Sequence, residues 1–487
     1  LIVLKDILYK VTLEKVVGST AVAVGKLEFD SRKVVLNDVF VAIRGTQVDG
    51  HDYIKKACEQ GALVIVCEEL PELLINGITY IEVADSQEAL AIIAANYYGN
   101  PSESLKVIGV TGTNGKTTVA TLLYKVYHAA GYAAGLLSTV RVMIGDTDHP
   151  ATHTTPDPIA INKYMRQMVD QGIEYCFMEV SSHGIDQRRT SGLHFSGGVF
   201  TNLSHDHLDY HKTFKAYRDT KKKFFDQLPK GAFALTNADD KNGAYMLQNT
   251  KAHKYSYALR SVADFPVRIL ENQFSGLLLN IGPNEVWVKL IGAFNAYNVA
   301  AVYGVTNLLG MEPLESLQLL SAVESVDGRF QYRLSDNQIT AIVDYAHTPD
   351  ALENVLSTIN EIRTGNETLI TVVGCGGDRD QAKRPKMGGI AAAGSNKVIF
   401  TSDNPRSEDP DSIIRAMEEG VSAEHFNRVI SITDRKQAIR TACQMAESGD
   451  IILVAGKGHE TYQEIAGERH DFDDFQILNE QLTALKK

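Results

Sequence analysis

Short apolar runs of strand length alternate with longer stretches of helical periodicity along the whole chain, and most of the runs stop at a polar cluster. In the first hundred residues VFVAI (Val39 to Ile43) and ALVIV (Ala62 to Val66) alternate with helix-like stretches, the pattern of a small α/β unit. Tyr98-Gly99-Asn100-Pro101-Ser102 gathers turn formers around a helix-breaking proline and predicts a boundary. Beyond it KVIGV runs into a glycine-rich loop, YCFMEV into Ser181, GGVFTNL into His205 and GAFALTN into Asp239. Strands that carry polar groups at their carboxyl ends are what an open parallel sheet needs to build a site. After about Asp327 the pattern recurs with ITAIVDYAH, LITVVGCGGDRD, KVIFTSDNPR and DIILVAGKGHE, a second doubly wound unit whose four motif-bearing strand ends can share one edge. With 487 residues, and roughly 150 residues per domain as a guide, about three domains are expected.

The run Gly109 to Thr118, GVTGTNGKTT, follows a strand and precedes the amphipathic stretch Val119 to Ala130, the setting of a phosphate-binding loop. Glycines let N–H groups turn toward phosphates, the next helix offers its positive end, Lys116 supplies a point charge and Thr117 a magnesium ligand. ATP is the natural ligand. Val110 stands where the first glycine of G-x-x-x-x-G-K falls, so the loop is a subtype; the bland alternative is a glycine-rich turn with an exposed lysine. The fold class expected is α/β in three domains: a small α/β N-terminal domain (1–100), a central P-loop ATPase-type parallel sheet (101–330) and a Rossmann-like doubly wound C-terminal domain (331–487).

Thr117, Glu179 and His207 lie where they can serve magnesium, although a hard cation prefers oxygen and the lesser alternative for His207 is a histidine in a polar loop. Histidines 183, 205, 207 and 211 have no cysteine cluster or ligand helix beside them, which argues against zinc. Lys221-Lys222-Lys223 reads, on its own, as a solvated helix face.

Composition narrows the class of partner. A net charge of −12 gives no broad basic field for nucleic acid, and no run is long enough to span a bilayer. Leu1 to Leu8, interrupted by Lys5 and Asp6, does not read as a signal peptide. Five scattered cysteines without a C-x-x-C pair suit a reducing cytoplasm.

Taken in order, FDSR (Phe29 to Arg32), GTNGKTT, MEVSSHG, TNLSHDHLDYH, FNAYN (Phe294 to Asn298), GRF (Gly328 to Phe330), DYAHTPD and AGKGHE resemble the Mur ligase family over essentially the whole chain. These are cytoplasmic enzymes that add amino acids to the nucleotide-linked precursor of peptidoglycan, and the chain is most similar to those adding the third residue. The resemblance implies an ATP-dependent acid–amino-acid ligase working through an acyl phosphate, as a monomer on small-molecule substrates. It places Gly112, Thr113, Asn114, Gly115, Lys116, Thr117 and Thr118 on ATP, completed by Asn298, Arg329, Asp344 and His347. It assigns catalytic or metal roles to Lys116, Thr117, Glu179, His207 and Lys221, the last as a carbamate that turns an ammonium into a metal-binding anion. Here Thr220 stands in place of the alanine common before that lysine. Phe29, Ser31, Gln47, Thr154, Thr155, Ser181, Gln187 and Arg189 would hold the UDP-linked muramyl dipeptide.

Asp403-Asn404-Pro405-Arg406 resembles the signature of members that add meso-2,6-diaminopimelate, with Arg379, Gly456 and Glu460 joining the amino-acid site. Without that resemblance DNPR reads as an Asx turn with a solvated arginine. Arg406 offers a planar fork for the far carboxylate that lysine lacks, and Glu460 suits the distal ammonium. The competing readings are a lysine-adding muramyl ligase, a folylpolyglutamate synthetase, and a non-catalytic ATP-dependent regulatory protein on the same scaffold.

Overall fold

The computed structural model describes residues 2–45, 48–151, 153–204 and 208–487. Three large sheets follow one another along the chain, each covered by helices on both faces.

The first has five strands. Leu13–Val17 pairs antiparallel with Thr79–Val83, and Val64–Cys67, Val39–Val41 and Leu27–Glu28 continue in parallel. Val39, Val41, Val64 and Val66 pack with Leu90, Ile93 and Ala94 of the helix Ser86–Tyr97. Phe40, Ile65 and Cys67 pack on the other face with Ile54 and Ala57 of the helix Ile54–Glu59. Burial on both faces explains why these strands are unbroken apolar runs rather than alternating ones.

The second sheet has eleven strands. Its parallel part runs Ala134–Leu137, Tyr175–Glu179, Lys106–Thr111, Gly197–Phe200, Phe233–Asn237 and His253–Ala258. Lys106–Thr111 comes first of these in the chain, and later strands join it on both sides. The connection order therefore reverses at its carboxyl end, the switch point where open α/β sheets bind ligands. The helices Lys116–Ala129 and Ala293–Leu308 cover one face and Pro158–Asp170 and Phe214–Asp226 the other. The hairpin Arg141–Ile144 with Thr147–Pro150 extends one edge antiparallel; at the other edge Phe265–Gln273 joins His253–Ala258 in parallel and then opens an antiparallel meander with Gly276–Ile281 and Asn284–Val288.

In the third sheet Gln331–Leu334 pairs antiparallel with Thr340–Asp344, followed in parallel by Ile451–Ala455, Leu369–Val373, Lys397–Phe400 and Val429–Ser431. The four strands that end in DYAH, AGKGHE, GCGGDRD and TSDNPR are consecutive neighbours, so all four motifs emerge along one edge.

One expectation fails here. The lysine run is not a solvated face: Lys221 and Lys222 are buried and only Lys223 is exposed. The helix Phe214–Asp226 lies against the sheet, turning Lys221 toward the phosphate loop and Lys222 onto Asp226, 2.6 Å away, and the Tyr245 ring.

Candidate active site

The glycine loop sits at the switch point between the strand Lys106–Thr111 and the helix Lys116–Ala129. Its outer wall is the segment after Gly197–Phe200: Thr113 N–H donates to Asn202 O (2.8 Å), Asn114 N–H to Asn202 Oδ1 (3.0 Å), and Thr201 Oγ1 to Asn114 O (2.6 Å). Lys116 Nζ folds back on the loop carbonyls of Gly112 (3.0 Å) and Thr113 (2.8 Å). Lys221 Nζ donates to the same Gly112 oxygen at 2.8 Å, and lies 4.8 Å from the centre of the Tyr217 ring, whose hydroxyl shares a 3.1 Å hydrogen bond with Thr113 Oγ1. Two lysines thus converge on one turn of backbone.

Gly115 is demanded twice over. Its φ of +87° is a region L side chains rarely adopt, and a Cβ there would lie 2.6 Å from Asn298 Oδ1. The Gly115→Ala enzyme is expected to bind ATP at least about tenfold more weakly by calorimetry, the left-handed conformation alone costing roughly 1–2 kcal/mol.

One strand over, Glu179 ends Tyr175–Glu179. Its Oε1 accepts from Thr139 N–H at 2.7 Å, whereas Oε2 is buried with no hydrogen-bond partner among the described residues. A buried carboxylate oxygen left unmatched is costly, so this donor set fits a divalent cation beside Thr117 Oγ1. Thr155 Oγ1 donates to Glu179 O (2.9 Å) and accepts from Ser181 N–H (3.0 Å), and Ser181 Oγ caps the next helix through Gly184 N–H. Arg189 reaches Thr155 O (2.6 Å) and Gln187 Oε1 (2.6 Å), while Thr154 Oγ1 accepts from Thr139 Oγ1 (3.0 Å). Thr154, Thr155, Ser181, Gln187 and Arg189 therefore form one connected group around the Glu179 strand end. Ser31, in a short 3-10 turn, and the half-buried Phe29 belong to the first sheet's unit. Gln47 and His207 lie outside the described residues.

The segment that leads into the third sheet meets the loop through Arg329, whose Nη2 donates to Thr117 Oγ1 at 3.1 Å. The Arg329 guanidinium lies 4.7 Å from the centre of the Tyr345 ring, which packs on His347 and His459. Burial pushes the Asp344 carboxyl up to about 6, against the pull of Arg329 and of the N–H groups of Phe330 and Ala346. His347 Nδ1 pairs with Tyr345 O at 2.8 Å.

Along the same edge Asp403, Asn404 and Arg406 follow the strand Lys397–Phe400. Arg406 has φ +52°, donates Nη1 to Gly377 O (2.6 Å) and lies 3.9 Å from the Glu464 carboxylate. Pro405 O would stand 2.0 Å from a Cβ on Gly377, so the two loops touch backbone to backbone. Glu460 Oε2 accepts from Asn404 Nδ2 at 2.7 Å. Arg379 stands exposed in the neighbouring loop, apart from this network.

The sequence did not single out Thr139, Thr201, Asn202, Tyr217, Tyr345 and Lys457 as site residues, and each of them contacts a candidate site residue. Their signal was position alone: all but Tyr217, which lies in the helix Phe214–Asp226, stand within a few residues of a strand end.

Three family patterns match in order: the Mur ligase family catalytic domain over residues 24–98, the Mur ligase middle domain over 110–306, and the Mur ligase glutamate ligase domain over 328–458. The chain belongs to the Mur ligase family. It is 53% identical to the UDP-N-acetylmuramoyl-L-alanyl-D-glutamate–2,6-diaminopimelate ligase of Phocaeicola vulgatus over 98% of this chain and 99% of that one. The ligase of the same description from Bacillus velezensis is 42% identical over 95% and 94%. A solved structure of a ligase with that description superposes with a TM-score of 0.70 at 30% identity, covering 100% of this chain and 99% of the other.

Proposed function

We propose that the chain is the ATP-dependent ligase that adds meso-2,6-diaminopimelate to UDP-N-acetylmuramoyl-L-alanyl-D-glutamate in cytoplasmic peptidoglycan precursor synthesis. The observation that carries this reading is the meeting of two strand-end edges. A phosphate loop with Glu179 stands on one, the DNPR and GKGHE loops on the other, and Arg329, in the segment between the two sheets, ties them through Thr117 and the Tyr345 ring. In this reading residues 1–100 hold the uridine end through Phe29, Ser31 and Gln47, residues 101–330 hold ATP and the dipeptide, and residues 331–487 hold the amino acid.

The side-chain carboxylate of the bound D-glutamate attacks the γ phosphorus of ATP, and the bond to the bridging oxygen breaks to release ADP. An amino group of diaminopimelate then attacks the acyl carbon, loses a proton, and expels orthophosphate. No protein nucleophile is needed. The loop N–H groups and Lys116 gather the phosphates, and Arg329 adds charge from the segment that joins the second and third sheets, so catalysis is mostly positioning and charge neutralisation. Thr117, Glu179, His207 and Lys221 as its carbamate are the residues that would hold magnesium, which when bound neutralises the triphosphate. Asn298, packed against Gly115, and Asp344 and His347 complete the nucleotide site, while Arg189 and Gln187 fix the dipeptide beside Glu179. Thr154, Thr155 and Ser181 order the same segment.

The folylpolyglutamate synthase of Mycobacterium tuberculosis, solved with ADP and AMPPCP, shares the fold at a TM-score of 0.61 and 19% identity, but covers only 74% of this chain. The test is direct: with ATP, magnesium and the UDP-muramyl dipeptide, the mass of product is compared for diaminopimelate, lysine and glutamate. Only the diaminopimelate adduct is expected to accumulate. ATP turnover without any adduct, or a lysine adduct in preference, would overturn the reading.

A further inference from the structure

Between the two site residues of the GKGHE loop lies Lys457, whose side chain is completely buried. Glycines flank it because the loop lies flat on its neighbours. A Cβ on Gly456 (φ +119°) would stand 2.6 Å from Asp403 Oδ2, and one on Gly458 (φ +53°) 2.6 Å from Tyr345 Cβ. The side chain between them is turned inward. Its Nζ donates to Asn404 Oδ1 at 3.0 Å and to Glu460 Oε2 at 3.1 Å, with the Tyr462 ring centre 5.4 Å away.

We propose that Lys457 is a positioning residue for the amino-acid substrate, locking the Asn404 amide and the Glu460 carboxylate so that Glu460 Oε1 receives the distal ammonium of the diamino acid. The inference rests on the reading of this pocket as the amino-acid site. Asn404 Oδ1 accepts from both Lys457 Nζ and Glu464 N–H (2.9 Å), which leaves its Nδ2 as the donor to Glu460 Oε2. Oε2 is thereby filled by two donors, whereas Oε1 accepts, among the described residues, only a long hydrogen bond from the Tyr345 hydroxyl at 3.5 Å. The carboxylate is held by one oxygen and presents the other. Burial, and after it the neighbouring Asp403 carboxylate, push the Glu460 carboxyl above its ordinary range, and the Lys457 ammonium and the Asn404 amide pull against that rise. A buried ammonium pays a desolvation penalty that a purely structural role repays poorly, since a well-packed apolar side chain fills such a place as well or better.

The experiment is a double-mutant cycle on the full-length enzyme with KM for each substrate as readout. Lys457→Met is expected to raise the diaminopimelate KM by about 30-fold, the worth of one hydrogen bond to a charged group, and to leave the ATP and dipeptide KM values within about twofold. Because Lys457 acts through Glu460, adding Lys457→Met to Glu460→Gln should raise KM little further. Lys457→Gln keeps a donor for Asn404 without the charge and gives the same readout where the methionine variant does not accumulate. Multiplying effects, or an equal rise in all three KM values, would show a structural role and overturn the proposal. A Glu460→Gln enzyme with an unchanged diaminopimelate KM would instead remove the amino-acid-pocket reading, and this inference with it.

Discussion

Replacing Lys116 with alanine is expected to cut orthophosphate release at saturating substrate by at least about 10³-fold, some 4 kcal/mol of transition-state stabilisation. The ammonium is tied to the Gly112 and Thr113 carbonyls, so the loop already holds it over the space its N–H groups surround. As the γ-phosphoryl group passes to the carboxylate, negative charge from both partners is crowded together, and a fixed positive charge acts most strongly at that moment. Arginine is not expected to rescue, because a planar fork does not replace a compact point charge inside a tight turn. The same preparations give the control. With oxygen isotope placed in the glutamyl carboxyl, the native enzyme should pass one labelled oxygen into each released phosphate, and Lys116→Ala should lose that transfer with its melting curve nearly unchanged. Near-normal turnover in the variant would remove ATP activation from the account.

What the sequence disclosed and what it hid divide along physical lines. The phosphate loop was legible because its chemistry demands a glycine turn, a lysine and a hydroxyl in fixed order between a strand and a helix. The buried parallel strands were legible because covering both faces leaves unbroken apolar runs, as at Val39–Val41 and Tyr175–Glu179. The antiparallel additions were not: Phe265–Gln273 has one buried residue and the rest at least partly exposed, so its apolar signal is weak. That the four C-terminal motifs fall on adjacent strands depends on a strand order set by tertiary pairing, and no local pattern records it. The burial of Lys221 and Lys222 was hidden for the same reason, since charge alone argues for solvent and the partners lie elsewhere in the chain: the Gly112 carbonyl for one, and for the other the Tyr245 ring beside the local Asp226. Lys457 was passed over although Gly456 and Glu460 on either side were singled out; its two glycine neighbours were the available clue.

The other large effect is expected at Arg406, where substitution by lysine should collapse the preference for diaminopimelate over lysine by about 10⁴-fold. The two amino acids differ chiefly in one carboxylate, so discrimination has to come from a group that is satisfied by that carboxylate and left unsatisfied without it. In the proposed reading that group is Arg406. Its backbone is held left-handed after Pro405, with its N–H on Glu464 O at 3.0 Å, and Nη1 is anchored on Gly377 O. The guanidinium plane is therefore set before substrate arrives, and Nη2, which has no hydrogen bond among the described residues, is available to a carboxylate. Glu464 Oε2, 3.9 Å from Nε, lies beyond hydrogen-bond distance, so with lysine as substrate the free edge of the fork stays unmatched. Lysine at 406 would keep the charge and lose the paired donors, so kcat/KM for diaminopimelate should fall steeply while that for lysine changes little, with the ATP KM constant. If the Arg406→Lys enzyme still rejects lysine as strongly as the native one, selection lies elsewhere, and the exposed Arg379 of the adjacent loop becomes the residue to replace next.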